Sequence, residues 1–69
     1  GRVKLKPPLQ PTFGNLAGAS IPVFKIYFTI DGAGDYSVMV PREGFTMQLA
    51  MQAIENEASQ IIDLMDALK

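Results

Sequence analysis

Cysteine, histidine and tryptophan are all missing from this sequence, and the first two absences each remove a class of chemistry. Without cysteine there are no disulfides and no thiolate metal sites, and nothing indicates a redox compartment. Without histidine there is no imidazole base and no histidine-based metal centre. An excess of one charge is lacking too. Six basic residues stand against seven acidic ones, a formal net charge of −1, so the whole chain has no strong pull toward nucleic acid or an anionic membrane. No apolar run approaches the roughly 20 residues needed to span a bilayer, and none reads as a secretory signal. No membrane partner is therefore expected, and the cytoplasm is only the default location. Gly1, where Met would start a chain, is read as a sign of processing or of excision from a longer protein.

What is present is apolar and short. The chain is 48% hydrophobic over 69 residues, enough for one domain whose core is marginal, the size at which oligomerisation often completes a fold.

The longest periodic segment runs from Met47 to Leu68. Met47, Met51, Ile54, Ala58, Ile61, Met65 and Leu68 recur in steps of four and three, which keeps one side of a helix apolar. Ala50, Ile62 and Leu64 broaden that stripe, while Gln48, Gln52, Glu55, Asn56, Ser59, Asp63 and Asp66 occupy the opposite side. Thr46 is placed to cap the first turn with its hydroxyl.

Upstream, Val23 to Ile30 alternates: Phe24, Ile26, Phe28 and Ile30 share one face, and Val23, Lys25, Tyr27 and Thr29 the other. Asp31-Gly32-Ala33-Gly34-Asp35 supplies turn chemistry, and Tyr36, Val38 and Val40 resume the apolar face up to Pro41. Two antiparallel registers keep these faces together, one pairing Ile30 with Tyr36 and one pairing Phe28 with Tyr36. A one-residue slip between them sets Phe28 against Ser37, so the buried face is fixed even where the loop length is open.

Residues 1–20 have a different character. Arg2, Lys4 and Lys6 alternate with Val3 and Leu5, followed by Pro7, Pro8 and Pro11. Prolines remove donors and hold the chain extended, so this part reads as a free arm in preference to a strand at a sheet edge. The expectation is an α+β fold, a β-hairpin followed by one long amphipathic helix (β-β-α, residues 21–69), behind a proline-containing N-terminal arm.

A helix of roughly 33 Å is longer than a strand of about 17 to 20 Å, so part of its stripe should project beyond its own sheet. The hairpin's second face also carries Val23, Tyr27 and Met39. Met51, Ile54, Ala58, Ile61, Ile62, Met65 and Leu68, with Tyr27 and Met39, are thus the expected contacts of a homo-oligomer.

Chemistry is harder to find. The Asp31 to Asp35 loop lacks the ligand spacing of a calcium loop and reads as a hairpin turn. Arg42 and Glu43, with Tyr36, could line a cleft, but no nucleophile has an activating base in sequence context, so these read as a solvated turn. Met39, Met47, Met51 and Met65 could make an adaptable surface, although three of them belong to the helical stripe. No catalytic residue, cofactor or metal is expected. The function expected is a non-enzymatic interaction or assembly module, acting on itself and on other proteins. The alternative is a small nucleic-acid-associated or regulatory protein using Arg2, Lys4, Lys6 and the hairpin, against which stands the acidic helix.

Overall fold

A computed structural model describes residues 2–68; Gly1, and with it any sign of processing, lies outside them. The chain runs β1 (Val3–Leu16), β2 (Ala19–Ile30), β3 (Gly34–Pro41) and α1 (Met47–Ala67). The strands form one antiparallel sheet in the order β1-β2-β3, and α1 packs on one face against β3 and β2. The α+β class and the hairpin followed by a helix are as the alternation and the 3.6-residue period require.

Between β2 and β3 the shorter reach is taken. Phe28 faces Tyr36, Ile26 faces Val38 and Phe24 faces Val40, leaving a three-residue turn at Asp31-Gly32-Ala33. The Tyr36 hydroxyl donates to the Ala33 carbonyl at 3.1 Å and closes that turn.

The N-terminal segment corrects the sequence reading. Residues 3–16 are extended, as their prolines demand, but they pair with β2 along almost their whole length, from Val3 opposite Ile30 to Leu16 opposite Ala19. The register shifts between Lys6 and Gln10, where Pro7 and Pro8 have no N–H to give to a ladder. Edge position makes this tolerable. The shift preserves parity, so Val3, Leu5, Leu9, Pro11 and Phe13 all belong to the helix-facing side, and Val3 and Leu9 pack against the core. That added apolar surface outweighs the freedom of a loose terminus. The sheet thus has three strands, and the topology is β-β-β-α.

The connection from β1 to β2 is the two-residue turn Ala17-Gly18, both at positive φ (53° and 79°). This is the geometry that matches strand twist, and it favours Asn at the first position. An L-alanine there costs about 1–2 kcal/mol of steric conflict. Ala17→Asn, which tolerates that conformation better, is therefore expected to stabilise the protein by part of that cost, about 0.5–1 kcal/mol, a rise of roughly 2–8 °C in Tm for a domain this small. Differential scanning calorimetry checks it, and a fall in Tm would contradict the turn geometry.

The core lies between sheet and helix. Ile26, Phe28, Ile30 and Val40 meet Ala50, Ile54 and Ala58, all buried, and Phe28 is the largest of the fully buried side chains. Alanines at 50 and 58 let the helix approach the sheet around Ile54. The Leu49 N–H donates to the Thr46 hydroxyl oxygen at 3.1 Å, so the predicted cap forms.

Candidate interaction surfaces

The residues expected at an interface fall into three groups. Ile54 and Ala58 are consumed by the protomer's own core, because they sit at the centre of the helical stripe where it meets β2 and β3; they are corrected from interface to core. Ile61 and Ile62 are half-buried and pack on that core, and Met65 is half-buried near the β2–β3 turn, its terminal methyl 3.9 Å from where a Cβ on Gly32 would stand. Met51 and Leu68 stay open, Leu68 at 79% exposure. Leu68 is the residue that caps the C-terminal end of α1; β1 and β2, 14 and 12 residues long, are longer than the helix, which corrects the expected length mismatch.

Other open apolar side chains carry more of the helical surface than the stripe suggested. Met47, Leu49 and Leu64 are all about half or more exposed, Leu64 at 62%. Leu64 broadens the stripe at its flank without being covered, and Leu49 lies outside the stripe, where periodicity marks it only as a break in a polar face. Beside the helix start, Leu5, Pro7, Leu9, Ile26 and Met47 line a shallow apolar groove of about 140 Å³.

Among the described residues, no element is layered over the opposite face of the sheet. It carries Lys4, Lys6, Gln10 and Thr12 from β1, Lys25, Tyr27 and Thr29 from β2, and Asp35, Ser37 and Met39 from β3. Arg2 is in phase with Lys4 and Lys6. Lys6 reaches across the central strand to Asp35 at 3.4 Å, and the Lys25 ammonium lies 5.4 Å from the centre of the Tyr27 ring. Val23 on this face is nonetheless fully buried. Gly14 lets Met39 and Val23 close over it, since a Cβ there would stand 2.7 Å from the Met39 sulfur and 3.1 Å from a Val23 methyl. Tyr27 and Met39 are therefore on one open face, as the alternation placed them. The gathering of Lys4, Lys6 and Lys25 was hidden as long as residues 1–6 were read as an arm.

Arg42 is not a solvated turn residue. It is half-buried, its guanidinium 5.5 Å from the Phe13 ring centre and 6.0 Å from that of Phe24. It donates to the Thr12 carbonyl at 3.1 Å, while its backbone N–H donates to Pro22. Phe24 in turn meets Phe45 edge-on at 4.8 Å. Arg42 thereby ties β1, β2 and the β3–α1 connection together. A cleft combining it with Tyr36 is not formed: the two are six residues apart along an extended strand, about 20 Å, with Tyr36 engaged at the far turn. Among the described residues no group of three or more acidic side chains converges as a metal site would require, and no helix is long and apolar enough to cross a membrane.

Compared with protein-family models, with curated proteins and with solved structures, the chain gives no match.

Proposed function

We propose that this chain is a non-enzymatic interaction module that works as a small homo-oligomer. The observation that carries the reading is where the uncovered apolar surface lies. Of the eight large hydrophobic side chains left exposed among the described residues, four (Met47, Leu49, Met51 and Leu64) are on α1 and a fifth, Leu68, caps it, a concentration that marks an association surface. Each such side chain gains roughly 1.5–3 kcal/mol if a neighbour buries it fully, which makes assembly favourable for a protomer this small.

The sharpest test uses side chains that do not support the protomer itself. Ile61 is a poor choice, because it packs on the chain's own core. The double variant Leu49→Gln and Leu64→Gln is expected to weaken association about tenfold or more while leaving Tm of the dissociated protein within a few degrees. Light scattering over a concentration series reads the first and circular dichroism the second; an unchanged association constant contradicts the helix as interface.

Nucleic-acid association is the second reading. It is favoured by the alignment of Lys4, Lys6 and Lys25, in phase with Arg2, on one open sheet face. Against it weigh a net charge of −1 and the engagement of Lys6 with Asp35.

A further inference from the structure

The open faces of the protomer are opposite in charge. The sheet's free face holds Lys4, Lys6 and Lys25 with Arg2, four of the chain's six basic residues, and, among the described residues, Asp35 as its only carboxylate. The helix holds Glu55, Glu57, Asp63 and Asp66, four of the seven acidic residues, and no Lys or Arg. Both faces also carry exposed apolar side chains, Met39 on the sheet and Leu49 and Leu64 on the helix.

This segregation decides between two ways of covering the helix. Pairing two helices by their outer sides across a two-fold axis would bring Glu55 and Asp63 of both copies together with no basic side chain from either helix, and like charges juxtaposed at an interface are costly. Laying the helix on the free sheet face of a second copy sets the same carboxylates against lysines. The dimensions agree: three strands about 4.8 Å apart make a surface as wide as a helix of about 10–12 Å.

We infer that the acidic outer face of α1 docks on the lysine-bearing sheet face of a second copy of this chain, in a head-to-tail contact. The inference rests on the self-association proposed above and names its two surfaces. Because they lie on opposite sides of one protomer, the contact is heterologous and repeats into a ring or an open stack. Glu55 and Asp63 meet Lys4 and Lys25, and Leu49, on the same side of the helix as Asp63, covers Tyr27 and Met39.

Charge reversal with rescue tests this on the full chain. One variant carries Lys4→Glu and Lys25→Glu, the other Glu55→Lys and Asp63→Lys; all four positions are at or near the surface, and circular dichroism checks that each variant folds. By sedimentation velocity, wild type should associate at low salt and dissociate at roughly 1 M salt, where screening acts within about 3 Å. Each variant alone should associate at least tenfold more weakly, and an equimolar mixture should assemble again, because every mixed contact restores opposite charges. Association that survives salt and both reversals overturns this docking while leaving self-association intact. A wild type that stays monomeric overturns both. Failure to rescue on mixing overturns the pairing of these faces, as does a wild type that binds single-stranded DNA through Lys4 and Lys25 without associating.

Discussion

Phe28→Ala is expected to destabilise the protein by about 3–5 kcal/mol, the range for truncating a large buried aromatic. Phe28 is fully buried on the central strand, sits opposite Tyr36 with ring centres 6.1 Å apart, and belongs to the cluster with Ile54 and Ala58. Truncating it leaves a cavity in the centre of that cluster. At about 0.05–0.15 kcal/mol per residue, a chain of this length has only about 3–10 kcal/mol in total, so the variant should be partly or wholly unfolded at room temperature. Urea denaturation followed by circular dichroism measures this. A loss below about 1 kcal/mol would mean that the helix does not rest on this strand.

Arg42→Ala has the second largest expected effect, about 2–3 kcal/mol, although the residue lies in a connection. A hydrogen bond from a charged donor is worth about 1.5–3 kcal/mol, and each contact of the guanidinium with a ring about 0.5–1 kcal/mol where partly exposed; these overlap and do not simply add. Arg42→Lys should recover less than half, because an ammonium cannot lie flat between the Phe13 and Phe24 rings while donating to Thr12. The loss should also be local. Beyond Pro41, opposite Val23, the β1–β2 hairpin has no third strand beside it, and Arg42 fastens it from the other side. Hydrogen exchange should therefore show the amides of residues 12–22 losing protection before those of Ile26 to Ile30. Uniform loss across the sheet would make Arg42 an ordinary surface contact.

How far the sequence discloses this fold depends on which signal each element uses. The helix and the β2–β3 hairpin announce themselves by period, because one face of each is buried by the same partner: Ile26, Phe28 and Val40 against Ala50, Ile54 and Ala58. β1 is concealed by its chemistry. Three prolines argue against a ladder, yet β1 is an edge strand whose register shift absorbs Pro7 and Pro8, and its turn uses Ala17-Gly18 where an Asn-Gly pair would have advertised a hairpin. Its alternation was present all along in Val3, Leu5, Leu9, Pro11 and Phe13.

The candidate surfaces were legible in part. The length comparison behind the expected overhang does not hold: β1 and β2 run to 14 and 12 residues, roughly 40 Å or more, so the strands outreach the helix, and Leu68 is exposed as the residue just past the helix end. Which stripe residues stay free does not follow either, because the period marks one face without saying how far along it β2 and β3 reach, and Ile54 and Ala58 fall where they do. The lysine-bearing face depends wholly on β1 joining the sheet. Arg42 was missed for a related reason: Thr12 and Phe13 are about thirty residues earlier, and only the third strand brings them near.

The central claim is that the protomer leaves surfaces that a second copy covers. Sedimentation equilibrium of the wild-type chain at low salt, from roughly 1 to 100 μM, tests it most directly. The weight-average mass should rise with concentration to at least twice the 7.5 kDa of one chain and return toward it in high salt. A folded protein that stays at 7.5 kDa throughout would contradict it.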